Sequence, residues 1–167
     1  VRNMSWEDEL ATYISPTPEN KGKKIKSLKY QLADMRKIGV KNNKYQPFRA
    51  CIYTVDTITG KPKEKIYRSE KVRMTKNEKW FYVHIDSLNI KMPKEGLFIV
   101  MEAITGKEHN YYSVAVRGGG SICAIPAIRV NVYNPNKSNK SYVKRNTNDW
   151  ELYNEEYYFC MEFEFEN

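Results

Sequence analysis

Two histidines, three cysteines and a set of closely spaced carboxylates are the side chains of this 167-residue chain with the chemistry for catalysis. Nucleophilic and general-base catalysis need a base held within hydrogen-bond reach of its partner, and that base is most often histidine. His84 lies in Trp80-Phe81-Tyr82-Val83-His84-Ile85, where alternate side chains share a face, so a local hydrogen bond on a sheet surface is expected. His109 sits in the polar turn Gly106-Lys107-Glu108-His109-Asn110 and is expected to be solvated. No GxSxG, HExxH, phosphate-loop or dinucleotide fingerprint occurs. Arg117-Gly118-Gly119-Gly120-Ser121 has the glycines of a phosphate cradle, but Pro126 follows and argues against the helix N-terminus that a cradle needs. Glycosidase chemistry needs two carboxyls converging across a cleft, one with a raised pKa. Glu155-Glu156 are neighbours in the chain, and Glu162, Glu164 and Glu166 recur on one side of one strand, which is the pattern of a solvated face. The expectation is a protein that is not an enzyme, with no catalytic residue.

Metal and cofactor chemistry fares no better. Cys51, Cys123 and Cys160 stand 72 and 37 residues apart with no CxxC pair, so a zinc site is not expected. The segment Asn146 to Asp149 lacks the charge density of a calcium loop. The odd cysteine count leaves one disulfide open and at least one thiol unpaired. No cofactor and no metal are expected.

Binding chemistry offers two sets of candidates. The first is basic: Lys21, Lys23, Lys24, Lys26 and Lys29 run beside Tyr30, within a 21–49 segment of ten basic residues and one acid, Asp34. A basic stripe interleaved with stacking aromatics is the footprint of nucleic-acid binding. No recognition helix or RNA-binding signature accompanies it, and lysines also guard edge strands against aggregation. A nucleic-acid-binding β domain is therefore the alternative reading. The second set is aromatic. Sugar-binding sandwiches stack exposed rings on a glycan and add a few planar hydrogen bonders. Tyr111, Tyr112, Trp150 and Tyr153, near Arg117 and Asn148, are the candidate binding residues.

These side chains must be positioned by strands. Leu28, Tyr30 and Leu32 alternate with Lys29 and Gln31; Phe48, Ala50 and Ile52 alternate with Arg49, Cys51 and Tyr53. Ile66 to Met74 and Trp80 to Ile85 flank Lys76-Asn77-Glu78 as an expected hairpin. Leu97 to Met101 is an unbroken apolar run, expected as a central strand covered on both faces. Tyr142-Val143-Lys144 and Trp150 to Tyr153 flank Asn146 to Asp149 as another hairpin. Tyr157, Phe159, Met161, Phe163 and Phe165 alternate with Tyr158, Cys160, Glu162, Glu164 and Glu166. No 3.6-residue apolar period persists. The fold class is all-β: a single jelly-roll-like β-sandwich of about 8–10 antiparallel strands with little or no helix. Pro16 and Pro18 make residues 1–23 an extended lead-in packing on the domain, with the sandwich proper over 24–167.

Charge bears on strand order. The chain carries 28 Lys+Arg against 20 Asp+Glu, a net +8, but 21–49 holds +9 while 149–167 holds seven acids and no base. If first and last strands are neighbours, Glu162, Glu164 and Glu166 face Lys24, Lys26 or Lys29 across an antiparallel pair.

Phe48-Arg49-Ala50-Cys51-Ile52-Tyr53-Thr54-Val55-Asp56 with Gly60-Lys61-Pro62, then Trp80 to Ile90, Pro93, the Leu97–Glu102 run, and the Trp150 segment with the aromatic last strand follow one order. Over roughly residues 24–167 that order resembles the jelly-roll-like β-sandwich modules of exported Bacteroidetes proteins, often C-terminal to a carboxypeptidase-regulatory-like domain. The resemblance implies a non-catalytic module of the cell envelope or a secreted protein (periplasm, outer-membrane surface or medium), with a glycan or another envelope protein as partner. No apolar run reaches the 18 residues of a membrane-spanning helix.

Overall fold

Short apolar-polar alternations separated by turn residues leave each strand one face to bury, and the chain answers with strand after strand. In chain order these are β1 (Arg2–Asn3), β2 (Glu9–Ile14), β3 (Ile25–Tyr30), β4 (Arg49–Val55), β5 (Pro62–Arg68), β6 (Phe81–His84), β7 (Leu97–Glu102) and β8 (Ser113–Ala115). There follow β9 (Ser121–Cys123), β10 (Ala127–Ile128), β11 (Val130–Val132), β12 (Ser141–Lys144), β13 (Glu151–Leu152), β14 (Tyr157–Phe159) and β15 (Met161–Phe165). The structure, a computed structural model, describes residues 2–3, 8–34, 45–109, 111, 113–115, 117–123, 125–132, 139–146 and 149–167. Among these the one helical element is a 3-10 turn over Asp86–Leu88, and no helix is long and apolar enough to cross a membrane.

The protein is an all-β sandwich. One layer is a six-stranded sheet in the order β13-β12-β2-β7-β4-β5, and the other contains the three-stranded sheet β15-β3-β6. All strand pairs in both are antiparallel, and most join segments far apart in the chain. The inward faces supply Leu10, Ile52, Ile99, Met101 and Val143 from the first sheet and Ile25, Leu28, Tyr30, Met161 and Phe163 from the second. Each such side chain contributes roughly 1.5–3 kcal/mol by leaving water.

One polar device joins the layers and another divides the second sheet. The buried hydroxyls of Thr12 and Ser141 complete the backbone of Phe159: its N–H donates to Ser141 Oγ at 2.9 Å, and its carbonyl accepts from Thr12 Oγ at 3.1 Å. Each hydroxyl has one proton, so the 3.0 Å bond between the two runs from Ser141 to Thr12 and closes the ring with nothing unmet. At the far end of β3 the second sheet forks around Arg129. Gln31 N–H donates to Cys160 O, Cys160 N–H to Arg129 O, and Arg129 N–H to Gln31 O, at 3.0, 2.9 and 2.9 Å. Beyond the fork β14 pairs with β11 rather than with β3.

The charge arrangement expected between the early and late strands is present. β15 pairs antiparallel with β3, setting Glu162 opposite Lys29. Ion pairs Lys24–Glu166, Lys26–Glu164 and Lys29–Glu162 follow at 2.8, 3.9 and 3.2 Å. Three expectations about elements need correction. Residues 9–14 are more than a lead-in, because β2 lies between β12 and β7 inside the six-stranded sheet. The strand expected over Ile66 to Met74 is β5, beginning four residues earlier at Pro62. β5 and β6 form no hairpin: β5 pairs with β4, and the chain crosses layers so that β6 pairs with β3.

Candidate functional site

The outward face of the six-stranded sheet carries an apolar cluster of its own. Along β2 the outward residues are Glu9, Ala11 and Tyr13; along β7 they are Glu102, Val100 and Phe98; along β4 they are Arg49, Cys51, Tyr53 and Val55. Ala11, Cys51 and Val100 are small enough to leave a trough, and Trp150 closes over this second cluster. Its ring meets Tyr53 edge-on with centroids 5.6 Å apart, and Lys144 Nζ lies 5.8 Å from the indole centroid. The hairpin that delivers Trp150 is tied to the β4–β5 turn by Lys61–Asp149 at 2.9 Å.

One end of this face carries a charged row. Glu9 and Glu102 stand directly opposite each other on β2 and β7, an arrangement that is repulsive by itself. Lys65 bonds Glu102 and lies 3.6 Å from Glu9, while Lys144 lies 3.5 Å from Glu9. Arg68 reaches Glu102 Oε1 through Nε at 2.9 Å and Nη2 at 2.6 Å, and the Tyr53 hydroxyl donates to Glu9. Burial pushes the Glu102 carboxyl up, but the hydrogen bonds and charges of Arg68 and Lys65 outweigh it and hold the group below the usual carboxylate range. A general acid needs the opposite shift. The pair is a structural ion cluster under the Trp150 hairpin.

The other end is open. A cleft of about 430 Å³ lies between the β4–β5 turn and the start of β12, lined by Tyr13, Val55, Thr59, Gly60, Lys140 and Tyr142. Its two aromatic walls are held on rigid strands. Phe98, fully buried between them, meets Tyr13 and Tyr142 with ring centroids 5.5 Å away in both cases. The Tyr13 hydroxyl donates to Glu95 O at 3.0 Å. Gly96, at φ +79°, lets the Tyr13 ring come so close that a Cβ there would sit 2.6 Å from it. The rim is fixed as well: the Asp56 carboxylate accepts the N–H groups of Ile58 and Thr59 at 2.8 and 3.2 Å. Half-buried tyrosine rings, a threonine hydroxyl and one ammonium form a pocket that can stack on an apolar ring face and hydrogen-bond its edge.

The residues chosen from sequence fall elsewhere. Tyr111 is 5% exposed, its hydroxyl accepting from Ile104 N–H at 2.8 Å and donating to Pro47 O at 3.1 Å. Trp150 is also 5% exposed, as the cover just described. Neither ring presents a face to a ligand. Tyr153 is half-buried against Phe159, centroids 4.5 Å apart, and Arg117 is exposed in the β8–β9 turn. Tyr112 and Asn148 lie outside the described residues. The described candidates, Tyr111, Trp150, Tyr153 and Arg117, divide between buried, half-buried and exposed positions and form no common ring platform. The residues that do converge, Tyr13 and Tyr142, lie far apart in the chain and are brought together only by the pairing of β2 with β12, so no local pattern marked them.

His84 bonds Ser27 Oγ through Nδ1 at 2.8 Å, the sheet-surface contact expected for it, and its ring stacks on Tyr82. His109 sets its ring against Tyr111 at 4.9 Å. Cys51 and Cys160 are free, buried thiols; burial raises both, and the Glu102 carboxylate beside Cys51 raises it further. Among the described residues no three of His, Cys, Asp and Glu gather closely enough to hold a metal ion. Comparison with known protein families, with curated proteins and with solved structures returns no match.

Proposed function

We propose that this chain is a non-catalytic binding module of an exported, cell-envelope or secreted bacterial protein, and that its ligand is a glycan seated between Tyr13 and Tyr142. The observation that carries the reading is the open cleft of about 430 Å³ on the outward face of the six-stranded sheet, with two rigidly held tyrosines and a polar rim. A pyranose has one apolar face and an equator of hydroxyls, which is the chemistry such a cleft complements. The strand order resembling that of exported Bacteroidetes modules supports the location. The nucleic-acid alternative needs free lysines, and Lys24, Lys26 and Lys29 each face a glutamate instead.

The test is affinity electrophoresis through gels containing xylan, mannan, hyaluronan or polygalacturonate. Retardation by at least one is expected, with loss of roughly tenfold or more in affinity for Tyr142→Ala. Tyr142→Leu, which keeps the packing on Phe98, is expected to lose it too. Thermal melts confirm that both variants fold. Mobility unchanged in every gel, or retardation indifferent to both substitutions, overturns the reading.

A further inference from the structure

The cleft does not end at Tyr142. A second cleft of about 280 Å³ is lined by Lys140, Leu152, Asn154 and Glu155. Leu152 lies directly opposite Tyr142 in the β12–β13 ladder, so the two side chains share the outward face. Lys140 lines both clefts. Its backbone is fixed at the junction: Lys140 O accepts Tyr13 N–H at 2.8 Å, and the next carbonyl, that of Ser141, accepts Tyr153 N–H at 2.8 Å. From β2 across β12 to β13 is two strand spacings, roughly 10 Å, more than one sugar ring fills.

The charges divide between the two clefts. In the larger one Lys140 is the one charged residue, and among the described residues no carboxylate pairs with it. Seven other lysines (Lys24, Lys26, Lys29, Lys61, Lys65, Lys94 and Lys144) are matched to acids. The smaller cleft adds Glu155, which repels an anion and accepts hydrogen bonds from hydroxyls, and the neutral amide of Asn154.

We infer that the two clefts form one groove for an acidic oligosaccharide, with a carboxylate-bearing sugar between Tyr13 and Tyr142 bonded to Lys140 and a neutral sugar beside Leu152, Asn154 and Glu155. This rests on the glycan reading and goes beyond it in naming the charge, the minimum length and the direction of the chain. A carboxylate on the exposed Lys140 ammonium adds a charge-assisted hydrogen bond that a neutral sugar lacks. At an exposed rim that difference is worth roughly 1.5- to fivefold in affinity.

The experiment compares binding of hyaluronan oligosaccharides, whose units alternate acidic and neutral, with the same oligosaccharides after carboxyl reduction, by calorimetry on the full chain. The wild type is expected to prefer the acidic form by roughly 1.5- to fivefold. Lys140→Gln is expected to bring that ratio to about one, and Lys76→Gln, a remote exposed lysine, to leave it. Glu155→Gln is expected to weaken tetrasaccharide binding while sparing the ratio. Equal affinity for both forms, or a ratio indifferent to Lys140→Gln, overturns the inference while leaving the glycan reading in place. If neither form binds, and no polysaccharide retards the protein in the gels, both readings fall together.

Discussion

Glu102 shows how much a single side chain carries on the outward face. It accepts from Lys65 and Arg68, takes a weak 3.5 Å bond from the Cys51 thiol and stands opposite Glu9, with its side chain 10% exposed. Its pKa is lowered in the folded protein, so the folded state favours the ionised form. The stability this supplies is present above the ordinary carboxylate range and is lost as pH falls through the lowered folded value. Glu102→Gln keeps the volume and removes the charge. It is expected to cost about 1–3 kcal/mol at neutral pH, since hydrogen bonds to charged groups are the stronger ones, and to flatten the decline between neutral pH and roughly pH 3. Urea titrations across that range measure both effects, and a variant with the wild-type acid profile would contradict the account. Tyr111 makes a neutral counterpart. Burial pushes its phenol up to about 12, and the hydroxyl is the partner of two buried backbone groups. Tyr111→Phe strands the Ile104 N–H and the Pro47 carbonyl and is expected to cost about 1–3 kcal/mol in the same titration. A loss within error of zero would mean that water replaces the hydroxyl.

At the scale of elements, the ladder between β3 and β15 makes charge a register device. Lys24, Lys26 and Lys29 meet Glu166, Glu164 and Glu162, partners that are 35–45% exposed, so each pair supplies only a few tenths of a kcal/mol, up to about 1. Glu162→Lys turns one attraction into a repulsion and is expected to cost about 0.5–1.5 kcal/mol, shrinking in high salt. Adding Lys29→Glu is expected to recover part of it but not all, because Lys29 Nζ also lies 4.6 Å from the Trp80 ring centroid. No recovery in the double variant would place the coupling elsewhere. This ladder was legible in the sequence because β15 has one solvated face: glutamates on one side and aromatics on the other give a strict period of two. Leu97 to Met101 was legible for the converse reason, apolar on both faces and therefore central. β2 was not legible. Thr12 points inward to the Phe159 backbone while Ala11 and Tyr13 point outward under cover, so polar and apolar residues fall on the wrong sides for the simple pattern. The cleft inherits that obscurity, since its walls come from residues 13, 55–60 and 140–142, which only long-range pairing brings together. The β5–β6 step was misread because a short polar connection between two alternating runs looks the same whether the chain turns back or changes layer.

For the whole molecule, a net +8 reads outward as an invitation to an anionic partner, yet three lysines of the basic 21–49 segment are paired inside the fold by the strand that returns beside β3. The same long-range closure makes the N-terminal segment indispensable. β2 pairs with β7 over six residue pairs and with β12 over four, and it holds the Thr12 hydroxyl that completes the Phe159 backbone. Removing it would leave β7 and β12 with facing unpaired edges, open the inter-sheet core at Leu10 and the outer cluster at Ala11, and delete the Tyr13 wall of the cleft. A chain shortened to residues 24–167 is therefore expected to lose cooperative unfolding and fixed aromatic packing, even though it keeps every other described strand except β1. Near-ultraviolet circular dichroism and urea unfolding measure this, and a synthetic peptide of residues 1–23 added in trans is expected to restore both signals by inserting between β12 and β7. If the shortened chain instead unfolds in one sharp transition with an undiminished dependence on urea, then the surface buried by β2 is not part of the cooperative unit, and the sandwich closes without its central strand.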